Sequence, residues 1–385
     1  MNRPDRAFSR LLTLAALLLC AAPLSACNVP VFRYALERWS PRPYEVVVFH
    51  KGALAAKDRE AVQALERHVS GDAASANLDV ELVDLDREPD ERAANLFAAQ
   101  EKPVLPWMVV RAQAVEKKTV TVWAGRLSAD AVRGLIDSPL RRELGKRILA
   151  GETAVWVLLE SGNRAQDDEA ADRLESELRR VTPMLKLPKL TDSPDDRLSA
   201  HGPPLRIAFS VVRLKRDDPA ERMLLSMLLT SEGDLPGRKE PMAFPVFGRG
   251  HCLAGLIGRG LNAENVRKCC SDLLAPCTCE VQGDLLRFDL LTSLDWKEGL
   301  EKPSASAPPA EPTTMPDTAV KPGERVPLPQ PQSRPAASSP ALVEDEETAP
   351  LLSRRLLLFG VGLAILLVVL TGTWVVLSNR RGVDS

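Results

Sequence analysis

The stretch Val104-Leu105-Pro106-Trp107-Met108-Val109-Val110 decides how the rest of the chain is read. Trp107 to Val110 have the composition of a buried strand, yet a proline stands at its head. Proline cannot donate to a β-ladder, so its presence there asks for a special geometry. Upstream, Glu45-Val46-Val47-Val48-Phe49 is a second buried-strand pattern, followed by helical spacing from Ala55 to Val69 with apolar Ala61, Val62, Leu65 and Val69. Leu78 to Leu85 alternates strictly, which predicts a half-buried strand, and Asp90 to Gln100 predicts a helix. Downstream, Thr119 to Trp123 is a strand reached through a charged turn, and Gly125 precedes a helix from about Ser128 to Ile136. The order is strand, helix, strand, helix, strand, strand, helix.

The next segment repeats the scheme. Thr153 to Leu159 predicts a strand, Asp167 to Val181 a helix, Leu205 to Val212 a strand and Pro219 to Leu229 a helix. Ala243-Phe244-Pro245-Val246-Phe247-Gly248 supplies a second proline-bearing strand, Cys252 to Ile257 its partner, and Gly260 stands before a last helix. The two last helices begin alike: Leu127-Ser128-Ala129-Asp130-Ala131-Val132-Arg133 and Leu261-Asn262-Ala263-Glu264-Asn265-Val266-Arg267. Ser128 and Asn262 are good N-caps, and Asp130 and Glu264 suit the positive end of the helix dipole.

This order, with its proline and glycine punctuation, resembles the thioredoxin-like fold. The expectation is an α/β chain of two tandem thioredoxin-like domains, residues 44–140 and 141–301, each a mixed central sheet flanked by helices. The resemblance implies that Pro106 and Pro245 are the cis-prolines of the two units. A redox-active member needs Cys-x-x-Cys between the first strand and first helix, where the helix N-terminus favours a thiolate. Here those turns read His50-Lys51-Gly52-Ala53-Leu54 and Glu160-Ser161-Gly162-Asn163-Arg164, without a thiol. What remains of the family's uses is a binding surface at the cis-proline edge. His50 reads as a structural histidine at a strand end.

The cysteines gather elsewhere, at Cys252, Cys269, Cys270, Cys277 and Cys279. In an oxidising compartment they read first as structural disulfides with one thiol left over. A thiolate metal site at Cys269, Cys270, Cys277 and Cys279 is the second reading, although the spacing is not that of a zinc ribbon. A redox pair at Cys277 and Cys279 is the third, and these two are the only catalytic candidates. Phosphate-loop, zinc-protease and nucleophile-elbow motifs are absent from the sequence. Gly255, Gly258 and Gly260 read as turns. Arg141, Arg142, Lys146 and Arg147 read as a solvated helix between the units. No cofactor is expected.

The 385 residues carry 50 Lys plus Arg against 52 Asp plus Glu, so the basic footprint of a nucleic-acid-binding protein is missing. Both ends point to a membrane. Arg3, Arg6 and Arg10 precede the apolar run Leu11 to Leu19, an export signal over residues 1–26. Leu24-Ser25-Ala26-Cys27 resembles the lipobox of bacterial lipoproteins, which implies lipidation of Cys27; Asn28 leaves an outer-membrane destination open. Residues 27–43 read as an N-terminal tether. Lys302 to Pro350 holds 12 of the 31 prolines, and residues 302–354 read as a disordered, Pro-rich spacer. Leu356 to Leu377 has no charge over 22 residues, enough for one transmembrane helix within 355–378, with 379–385 as a cytoplasmic tail. The expected protein is periplasmic in its soluble part, membrane-tethered, and a partner of another envelope protein.

Overall fold

Val46, Val47, Val48 and Phe49 are completely buried in the strand Tyr44–His50 (β1), and the first sheet is built around them. The computed structural model describes residues 27–69, 76–277 and 285–301. The export signal, Cys279, the Pro-rich spacer, the transmembrane segment and the tail lie outside these residues. No helix among the described residues is long and apolar enough to cross a membrane.

A helix, Val31–Arg38 (α1), precedes β1 and is the first correction to the sequence reading. Val29, Val31, Phe32, Ala35 and Leu36 are buried, so residues 28–38 are docked rather than a tether. Val31, Phe32 and Ala35 share a cluster with Phe247, Leu273 and Leu274, and burying a side chain such as Val31 or Phe32 stabilises by about 1.5–3 kcal/mol.

In the first sheet β1 runs parallel to Leu78–Asp84 (β2) and antiparallel to Trp107–Gln113 (β3), which pairs antiparallel with Thr119–Arg126 (β4). The strand order is β2-β1-β3-β4. Helices Ala56–Glu66 (α2) and Ala129–Ile136 (α4) cover the face that carries Val46 and Val48. Helix Glu91–Ala98 (α3) packs on the opposite face, where Phe97 meets Phe49 at 5.1 Å between ring centres. Asp90 and Ser128 cap α3 and α4 by accepting from Ala93 and Ala131 amides, as their short polar side chains allow.

Helix Pro139–Leu149 (α5) leads into the second sheet. Ala154–Leu159 (β5), buried at every position, runs parallel to Phe209–Leu214 (β6) and antiparallel to Met242–Phe247 (β7). His251–Leu253 (β8), Leu256–Ile257 (β9) and Arg287–Asp289 (β10) complete it in the order β10-β8-β7-β5-β6, with β9 beside β7. Helices Arg164–Val181 (α6) and Ala263–Leu274 (α8) cover the Trp156 and Leu158 face, and Arg222–Leu229 (α7) covers the other. A terminal helix, Trp296–Glu301 (α9), closes the described chain.

The two sheets repeat each other in register. Phe49 pairs with Trp107, and Trp107 with Arg126; Leu159 pairs with Met242, and Met242 with Ile257. Both hairpins then slip by one residue, after Val110 in the first and between the β9 and β8 pairings in the second. The Leu127 amide donates to the Pro106 carbonyl at 2.9 Å, and the Gly258 amide to the Pro241 carbonyl at 3.0 Å. Pro241 is therefore the positional counterpart of Pro106. The Leu105–Pro106 peptide is cis, and it is the one cis bond among the described residues. Pro245 is thus not a cis-proline. It lies inside β7 opposite Trp156, between residues paired to β8 and residues paired to β9. The ladder is interrupted there, so a residue without an N–H fits.

The sheets share one hydrophobic core. Val46, Val48, Leu135, Val155, Val157, Met227, Phe244 and Leu290 belong to a single cluster, and α7 packs against both α4 and β4. Helix α5 is part of that core through Leu144 and Ile148, and Arg141 is 2% exposed, so the helix is not a solvated connector. A Cβ on Gly145 would stand 1.9 Å from Leu294 Cδ1, which is why the helix carries a glycine there despite the cost to helix propensity.

Candidate functional site

The turn after β1 is closed by a carboxylate. Asp84 Oδ1 accepts the amides of Asp86 and Gly52, both at 3.1 Å, and these bonds hold its carboxyl below the usual range. Gly52 sits at φ +63° and His50 Nδ1 lies 2.8 Å from its carbonyl oxygen, so the histidine is engaged with the backbone. The turn after β5 is closed the same way: Ser161 and Gly162 donate to Asp167 at 2.6 and 3.1 Å, and Gly162 has φ +92°. Asn163 caps α6 by accepting from Ala165 and Gln166. Both turns are backbone structures held by carboxylates, with no thiol at the start of the following helix.

A cleft lies against each turn's helix. The larger, about 840 Å³, is bounded by α6, β9 and the start of α8. Its apolar floor includes Leu256, Ile257 and Leu261; its rim carries the Glu169–Arg173 pair, Arg238, Glu240 and Arg259. Arg238 is paired with Asp234 at 2.8 Å, which raises the guanidinium and lowers the carboxyl. The smaller, about 530 Å³, occupies the equivalent place between α2, the end of β4 and the start of α4, with Lys57, Asp58, Arg126, Leu127 and Arg133 on its walls. Apolar floors with charged rims suit an extended peptide segment: side chains fill the floor and termini or charged groups meet the rim.

The cysteines are not brought together into one site. Cys270 faces inward with Trp156 and Leu174, and Cys269, one position round the helix, is half-buried against a neighbouring cluster. Cys252 lies on the opposite face of the sheet among Val246 and Phe288, and Cys277 is buried near Val31 and Phe32. Cys252, Cys269 and Cys270 form no disulfide with one another, and Cys279 lies outside the described residues. Cys252 is separated from Cys270 by the sheet between them. Among the described residues no group of three His, Cys, Asp or Glu side chains is arranged to hold a metal ion. Burial pushes the Cys269 and Cys270 thiols up to about 12 and raises Cys252 well above its ordinary value, so at neutral pH these are protonated thiols rather than nucleophiles.

Sequence reasoning missed one polar cluster. His251 Nδ1 lies 2.5 Å from Asp289 Oδ1, and Arg42 and Arg287 reach the same carboxylate at 2.6 and 3.0 Å. Burial opposes the Asp289 charge, but the hydrogen bond from His251 and the two guanidinium groups hold its carboxyl well below the usual range. The His251 ring is fully buried between Trp39, edge-on at 5.6 Å, and Phe247 at 5.7 Å. Arg42 also meets Gln113 of β3, so the cluster joins the two sheets. Its only sequence signal was a lone histidine beside Cys252 and an Arg-x-Asp alternation, neither specific enough to read.

A scan against protein-family models gives no match, and a search of the curated proteins gives none either.

Proposed function

We propose that this chain is a non-enzymatic, membrane-tethered protein whose two tandem thioredoxin-like domains bind another envelope protein. The carrying observation is the pair of clefts at equivalent places in the two repeats, each against the helix that follows a turn with a carboxylate-closed glycine where a redox protein needs a thiol. The repeated sheet order and the cis bond before Pro106 support the thioredoxin-like reading. In that reading an extended segment of the partner lies across the larger cleft, its apolar side chains on Leu256, Ile257 and Leu261 and its charges against Arg259 and Glu240. Raised thiols at Cys269 and Cys270 disfavour an oxidoreductase that attacks through that pair, because the thiolate is the attacking species.

The soluble part is extracytoplasmic in this proposal. Cys27 is the lipidated residue, Leu356 to Leu377 spans the inner membrane, and Lys302 to Pro350 is the spacer. The test is photo-crosslinking in the full chain in its own envelope, with the crosslinker at Arg259 in the cleft or at exposed Glu116 on the other hairpin. A discrete adduct from Arg259 alone supports the reading. Equal, diffuse adducts from both positions overturn it.

A further inference from the structure

The chain next to Cys27 is held tightly to the folded body. Asn28 donates its backbone amide to Asp196 Oδ1 at 2.6 Å and its side-chain amide to Oδ2 at 3.1 Å. Thr191 adds its amide at 2.8 Å and its hydroxyl at 2.7 Å to the same carboxylate. Asp196 is 3% exposed, and although burial opposes its charge, these donors hold the carboxyl well below the ordinary range. Arg38 locks the same loop through the carbonyls of Asp195 and Arg197, at 2.8 and 2.6 Å. Beyond Asn28 the chain is bridged at once to 275–277: Cys277 donates to the Val29 carbonyl and Val31 to that of Ala275. No slack separates Cys27 from the folded body.

An anchor at Cys27 therefore holds the body flush with the bilayer, and the surface beside it must be compatible with lipid. The segment leading into the Asp196 loop has that character. Leu185 and Leu187 turn inward onto the Val31 and Phe32 cluster, while Met184, Lys186, Lys189 and Leu190 face out. Met184 at 60% and Leu190 at 37% are two of the five large hydrophobic residues exposed among the described residues. Residues 184–190 carry Lys186 and Lys189 and no carboxylate, so this segment is basic, whereas the loop that follows sets Arg197 against Asp192, Asp195 and Asp196. Apolar side chains interleaved with lysines suit the headgroup boundary of an anionic bilayer: the former enter the acyl edge, and the ammonium groups stay with the phosphates.

We propose that residues 184–190 form a docking surface for anionic lipid that fixes the orientation of the folded part on its membrane. This rests on the reading that the chain is anchored at Cys27. The test uses the full chain in vesicles of phosphatidylethanolamine and phosphatidylglycerol, with a spin label at Met184→Cys or, for comparison, at Glu116→Cys. The unsubstituted chain supplies the background. The label at 184 should be severalfold more accessible to oxygen than to a water-soluble nickel chelate, with the ratio reversed at 116. The pair Lys186→Glu and Lys189→Glu should move the 184 value toward that at 116. A label at 184 as water-accessible as that at 116 overturns the surface. The mass of Cys27, measured on the same sample, judges the anchor separately. A lipidated Cys27 with a wet 184 keeps the anchor and removes the surface, and an unmodified Cys27 with a lipid-facing 184 does the reverse.

Discussion

Arg141 Nη1 lies 2.9 Å from the carbonyl oxygen of Leu291, a bond that spans 150 positions and joins the connector helix α5 to the strand end of the second sheet. The same guanidinium caps the last turn of α4 through the carbonyls of Leu135 and Gly134, at 2.8 and 2.6 Å, and meets Ser138 Oγ at 3.0 Å. Burial lowers Arg141 to about 10, which still leaves it charged at neutral pH.

Arg141→Met keeps most of the side-chain volume and removes every donor. The buried carbonyls it leaves unpaired cost about 1–3 kcal/mol each, so a total loss near 3 kcal/mol is expected after local relaxation. Urea unfolding of the soluble part should show a lower midpoint. An unchanged midpoint would mean that the Arg141 hydrogen bonds contribute nothing to holding the two sheets together.

The Asp289 cluster makes stability depend on acid. Its carboxyl is depressed below the ordinary 3.8 in the folded chain. The stabilisation is therefore present above about pH 4, where the unfolded carboxyl is also ionised, and is lost as pH falls from there toward the folded value. Asp289→Asn should cost about 3–5 kcal/mol at pH 7, because it leaves Arg42 and Arg287 without their buried counter-charge. The variant should also show a shallower loss of stability below pH 4 than the parent; parallel profiles would remove Asp289 from the acid transition.

The thiols of Cys252 and Cys270 should resist a charged alkylating reagent at pH 8 in the folded chain and react at once in denaturant, because both are buried and protonated. Peptide mass mapping reads the two states. Rapid native labelling of Cys270 would return α8 to consideration as a redox site.

Gly162 isolates the backbone requirement of the second turn. A Cβ there meets nothing within 4 Å, so the cost of Gly162→Ala comes from φ +92° alone and should be about 1–2 kcal/mol. Gly233 also has open space but no positive φ, and Gly233→Ala should leave stability unchanged. Equal effects in thermal unfolding would mean that the carboxylate of Asp167 does not impose the turn.

Local pattern made much of the architecture legible. The buried runs at 45–49 and 154–159 became central strands, and Ser128 and Asn262 became N-caps, because strand burial and helix capping are decided within a few residues. Boundaries moved where tertiary pairing overrode composition: the strand expected over 205–212 is Phe209–Leu214, set by its parallel register with β5. The helix at Val31–Arg38 was missed, since its signal was overshadowed by the membrane signal before it and its apolar face needs Phe247 and Leu273 to make sense.

The candidate site divides along the same line. The absence of a thiol from both turns is a fact of sequence, since those turns are local. The identity of the second unit's counterpart proline is not: Pro245 carried the more strand-like context, but the amide of Gly258 on Pro241 decides the matter across the sheet. The charge cluster at Asp289 and the pinning of Asn28 on Asp196 join residues far apart in the chain, and the sheet separates Cys252 from Cys270. Sequence by itself determined the order of elements inside each repeat and the glycine-bearing turns, because those follow from local propensity and periodicity. Only the tertiary structure decided which distant side chains meet, because burial and charge pairing depend on how the two sheets pack around one shared core.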